Sequence, residues 1–195
     1  MKEYTLKIIE LKKRIYYLNP LETSISKDLF SQIREKDLTI LMTPLSTFDE
    51  VNIDLPNDKY HNLIIKYLKE GNNPCIIITS HLERLILETM KGHPKQPRIF
   101  MQAGNEIYSG FTYYLEGEMN MNNNELMQLV ENINPKSISV GGAFLAETEK
   151  ELKKWDLEKF PWESSADSGC YVGPIYLMFR DKYPTRIAEN LVKRG

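Results

Sequence analysis

Cys170 offers the most chemistry in this chain. It stands in the segment from Ser164 to Gly173, just ahead of a stretch that reads as a helix. The thiolate is the nucleophilic form of cysteine, and a helix N-terminus favours it. The same position also suits a small residue packed under a loop. His81 follows an apolar run and is the candidate base for the thiol, or else a capping or packing histidine. Glu106 and Glu147 also follow apolar runs, as general bases or as polar anchors for a ligand amine or hydroxyl. Asp167, three residues before Cys170, is a ligand-side carboxylate or the cap of the next helix.

What links these residues is their place after short apolar runs that read as buried strands. Thr43 follows 38–42, Ser80 and His81 follow 75–79, Asn105 and Glu106 follow 98–103, and Gly141 and Gly142 follow 137–140. In an open parallel sheet, ligands bind beyond the carboxyl ends of the strands. Four strand ends therefore nominate one edge for a site made of Thr43, Ser80, His81, Asn105, Glu106, Gly141, Gly142, Glu147, Asp167 and Cys170. The glycine pair fits two readings: close backbone approach to a ligand or anion, or a tight structural turn.

Several chemistries lack their signature. The dinucleotide fingerprint Gly-x-Gly-x-x-Gly and the Gly-x-x-x-x-Gly-Lys-Ser/Thr phosphate loop are both missing, so no cofactor is implied. His61 falls on a predicted helix and His93 in a Pro/Gly loop. Neither has the spacing of a zinc site. Trp155, Phe160 and Trp162 on the loop before Cys170 form either a lid over a planar ligand or a small apolar cluster that pins the loop.

The elements that must position these residues alternate. Residues 4–18 have both helical and strand spacing, and the longer match predicts a helix. A second helix is predicted over 24–36, then a strand over 38–43. A helix over 58–70 presents Tyr60, Leu63, Ile64, Tyr67 and Leu68 on one face. Strand 75–79, helix 82–91 and strand 98–103 follow, then an extended or hairpin segment over 106–119. Helix 124–133, strand 137–140, helices 146–155 and 173–182, and a terminal strand or short helix over 184–192 complete the chain. Continuous apolar strands between helices predict parallel pairing with both sheet faces covered. The expected fold is a single α/β domain over 1–195, a three-layer α/β/α sandwich with a mostly parallel, Rossmann-like sheet of four to six strands.

Composition agrees with a folded domain of this size. The chain has 195 residues, 42% hydrophobic and 27% charged, with a formal net charge of −2. That charge gives no general attraction to nucleic acid or to an anionic membrane. No apolar stretch approaches the ~20 residues of a membrane span. Two cysteines make no disulfide framework, and the first residues lack a secretory pattern, so a reducing cytoplasm is the expected location. The expected partner is a small-molecule ligand, with a homo-oligomer left open.

The residues 137–143, then Gly169 to Val172, then a helix and the run 183–188, together resemble the end of isochorismatase-like cysteine hydrolases. There a strand ends in Gly, a cysteine nucleophile opens the next helix, and another strand follows. The resemblance covers the last third of the chain and implies Cys170 as nucleophile in a hydrolysis of a small polar metabolite, an amide or related bond. The family's aspartate has no counterpart in 38–44, and its lysine has none near 98–115. The same fold without catalysis gives the alternatives: a small-ligand or nucleotide-binding module, or a protein-interaction domain.

Overall fold

The computed structural model describes residues 7–12, 15–19, 27–44, 59–79, 94–102, 123–145, 148–154 and 172–194. Its elements in chain order are β1 Lys7–Lys12, β2 Ile15–Asn19, α1 Lys27–Ile33, β3 Asp37–Met42, α2 Lys59–Glu70 and β4 Cys75–Thr79. They continue with β5 Arg98–Gln102, α3 Asn123–Ile133, β6 Ser137–Leu145, α4 Glu149–Leu152, α5 Val172–Phe179 and β7 Thr185–Arg194.

Seven strands form one sheet in the order β1-β2-β5-β4-β3-β6-β7. Every pair from β2 to β7 is parallel, which gives six parallel strands, and β1 adds an antiparallel edge strand on β2. Strands β3 and β4 are almost wholly buried because helices cover both faces, which is why their sequences are continuous apolar runs.

Alternate strand residues feed two separate cores. On one face Leu38, Ile40, Met42, Ile76, Ile78, Ile138 and Val140 pack with α1, α3, α4 and α5. On the other, Leu41, Ile77 and Phe100 pack with Ile64 and Leu68 of α2 and with Leu191 of β7. The result is the expected three-layer α/β/α arrangement with a Rossmann-like parallel sheet.

Four features differ from the sequence reading. Lys7–Lys12 and Ile15–Asn19 form two strands rather than a helix. Their β-branched and aromatic content suits a pleated surface, and β2 finds a parallel partner in β5 that local periodicity cannot reveal. Strand β6 runs through Gly141 and Gly142 to Leu145, because β7 continues alongside and pairs with Gly142, Ala143 and Leu145. The helix expected from 146 begins only at Glu149, where Thr148 supplies a capping box with Glu151. In α2, Leu63 is 39% exposed while His61 is fully buried, so the inward stripe is His61, Ile64 and Leu68.

Candidate functional site

Strand order places the crevice. From β3 the chain steps through β4 to β5 on one side, then returns to the other side of β3 with β6 and β7. The helix after β3, α2, packs on one sheet face; α4 and α5, after β6, pack on the other. The described helices that come after the neighbouring strands β3 and β6 thus lie on opposite sheet faces, a switch point of the kind beyond which open parallel sheets bind ligands.

Three of the sequence-predicted residues fall within or just after these two strands: Thr43, Gly141 and Gly142. Met42 is in register with Gly142, and Leu41 with Gly141. Thr43 comes immediately after β3, with φ at 41°, and Gly142 has φ at 121°. The Thr43 hydroxyl donates to the carbonyl of Ala143, and its N–H donates to the Ile78 carbonyl at 2.7 Å. One residue therefore ties together the ends of β3, β4 and β6. Thr43 is buried, and its hydroxyl is spent on this tie.

The two glycines act differently. A Cβ on Gly142 would lie 1.9 Å from the Met42 carbonyl oxygen, so no side chain fits there while β3 and β6 stay paired. A Cβ on Gly141 would lie 2.8 Å from the Leu191 carbonyl, where β7 bulges over β6. Gly142 thus pinches β3 against β6 at the end of β3, and Gly141 admits the bulge. The pair sits inside a strand rather than at a strand-to-helix turn, so helix amides do not follow it directly.

Ser80, His81, Asn105, Glu106, Glu147, Asp167 and Cys170 lie outside the described residues. The strands ahead of the first four end together, with Thr79 in register with Gln102.

At the opposite, amino edge the structure reveals a residue that sequence reading missed. Arg98 opens β5 fully buried. Its guanidinium donates five hydrogen bonds to the carbonyls of Tyr67, Leu68, Gly71, Asn73 and Pro97, at 2.7 to 3.2 Å. Three of those acceptors lie at the end of α2, where a cation is favoured; the Tyr67 carbonyl also accepts from the Gly71 N–H at 2.8 Å. Tyr67 stacks under the guanidinium at 5.6 Å and shares a hydrogen bond with the Thr39 hydroxyl at 2.6 Å. Burial pushes the Tyr67 hydroxyl up to about 12, with Cys75 adding to the rise and Thr39 and Arg98 opposing it. Burial likewise raises the Cys75 thiol to about 12 against the pull of Arg98, so Cys75 is a protonated packing residue at neutral pH. The only sequence signal was an arginine directly after Pro97 at the head of an apolar run.

Among the described residues no group of three or more His, Cys, Asp or Glu side chains is placed to hold a metal ion. No described helix is long and apolar enough to cross a membrane. No protein-family model, curated protein or solved structure matches the chain.

Proposed function

We propose that this chain binds a small polar metabolite in the crevice between β3 and β6, over a floor formed by Thr43, Gly142 and Ala143. The observation that carries this reading is the split of α2 and α5 to opposite sheet faces at two adjacent parallel strands. At such a split, open parallel sheets offer room for a ligand.

A second reading adds a reaction. The order β6 with its glycine pair, Cys170, α5 and then β7 is the order that the resemblance to isochorismatase-like cysteine hydrolases implies. Because α5 leads directly into parallel β7, it runs against the strands and starts from the carboxyl edge. Cys170 stands two residues before it in the sequence. On this reading the Cys170 thiolate attacks the carbonyl carbon of an amide or related bond, the leaving group departs with a proton, and water hydrolyses the acyl-enzyme. His81 and Glu106 are the candidate proton carriers.

Mass spectrometry of small molecules carried through gentle purification tests both readings. A stoichiometric small molecule that leaves on denaturation supports the binding site, and a protein that never retains or binds one counts against it. If Cys170→Ala keeps the molecule but loses its turnover, the hydrolase reading holds. If the variant behaves like the parent, the binding module remains.

A further inference from the structure

Among the described residues β7 is the last strand of the sheet, so the backbone groups on its outer side have no ladder to join. The register says which groups those are. The Ile138 N–H donates to the Pro184 carbonyl at 2.9 Å, and Ile138 is in register with Thr185. In a parallel ladder a residue bonds to the two that flank its register partner. Pro184 and Arg186 therefore turn their backbone groups towards β6, and Thr185 and Ile187 turn theirs outward.

Glu149 meets that outward side. Its Oε2 accepts the Ile187 N–H at 3.1 Å, while its Oε1 pairs with Lys153 at 2.9 Å. The carboxylate is held in place from both ends of α4. The capping box of Thr148 and Glu151 fixes where the helix starts, and Leu152 anchors it in the first core.

The rest of the edge is bent. Ile187 is in register with Val140 and Val192 with Gly142, so four residues of β7 span the place of Gly141 alone. Ala188 and Leu191 pack into the second core, and Glu189 and Asn190 stand exposed. Arg194 pairs with Glu189 at 2.7 Å across this excursion. A straight incoming strand cannot follow such a path. The straight part of the edge is 185–187, with Arg186 exposed, and its outward N–H at Ile187 is the one that Glu149 occupies.

We propose that Glu149 guards this edge: by holding the Ile187 N–H it keeps β7 from taking an added strand, and the strand it excludes is β7 of a second copy of this chain. Two copies related by a two-fold axis present the same outward groups to each other, so an antiparallel pair of β7 edges satisfies both. With the carboxylate in place, that pairing must first break a charge-assisted hydrogen bond on each copy.

Sedimentation of the full chain over a concentration series, with amide exchange at Ile187, tests the guard. In the parent the Ile187 amide should exchange as slowly as a ladder amide, although it faces away from β6. Glu149→Ala should self-associate at least tenfold more tightly than the parent. Glu149→Gln keeps an oxygen acceptor and should stay at the parent's level. Adding Thr185→Pro to Glu149→Ala removes an outward N–H without touching the bonds to β6, and should restore the parent's behaviour. A parent Ile187 amide that exchanges like an open one overturns the proposal. So does a Glu149→Ala chain no more associated than the parent, or equal association in Glu149→Gln. Association that persists with Thr185→Pro overturns it too, and marks aggregation through unfolding instead of pairing at the edge.

Discussion

Gly142 is the residue whose loss should be felt most sharply. Its φ of 121° is open to glycine and strained for any other residue, and the Met42 backbone fills the space a side chain would need. Gly142→Ala should destabilise the fold by about 2 kcal/mol or more, counting strain and the loss of close β3–β6 pairing. Urea denaturation of parent and variant measures this, and an unchanged midpoint would contradict the pinch. The two cysteines should differ as well. Cys75 is buried with its thiol pushed up to about 12, so iodoacetamide should label it slowly in the folded protein. If Cys170 is a nucleophile, peptide mapping should find it labelled much faster; equal, slow labelling would remove the nucleophile argument. Thr43 was legible in the sequence because a small residue after an apolar run marks a strand end, whereas Gly141 and Gly142, read the same way, lie inside β6 because β7 pairs on beyond them. The buried roles of Arg98 and His61 were not, because burial of a charged or polar side chain depends on partners far along the chain.

Among the elements, α2 depends most on distant residues. Arg98 holds its last turn through Tyr67, Leu68 and Gly71 carbonyls, so Arg98→Ala takes this donor from Leu68 and Gly71 and leaves Tyr67 only the Gly71 N–H. The expected loss is about 3 kcal/mol, with amides in the last turn of α2 exchanging first. Arg98→Lys should recover only part of it, since an ammonium cannot reproduce the planar fork. Exchange rates unchanged in α2 would show that the cap is dispensable. The sheet edge at β7 has its own tie: Glu149 of α4 accepts the Ile187 N–H at 3.1 Å and pairs with Lys153 at 2.9 Å. Burial pushes the Glu149 carboxyl up. The Lys153 and Ile187 hydrogen bonds, with the charges of Lys153 and Arg186, outweigh it and hold the group below its ordinary value. A carboxyl depressed on folding stabilises above its unfolded pKa of about 4.3, and that contribution fades as pH falls through the lower folded value. The stability gap between parent and Glu149→Gln should thus be constant near neutrality and shrink in acid. A gap that widens below pH 4 would contradict the sign. Helix positions such as α2 and α3 were legible from their 3.6-residue stripes. The strands β1 and β2 were not, since short apolar runs fit either period and only pairing with β5 decides between them.

At the scale of the whole molecule, the apolar runs at 38–42, 75–79, 98–103 and 137–140 predicted four neighbouring parallel strands, and the strands described there lie together in the sheet as β5-β4-β3-β6. Their lateral order was not readable, because connections of similar length lead to either side of β3. The proposed binding site depends on that order, since it sets the switch point between β3 and β6. The most direct test is a crystal structure of the chain with the small molecule that accompanies it through purification. The account predicts that molecule against Thr43, Gly142 and Ala143 at the carboxyl edge. A molecule seated at the amino edge near Arg98, or on the outer side of β1 or β7, would contradict it.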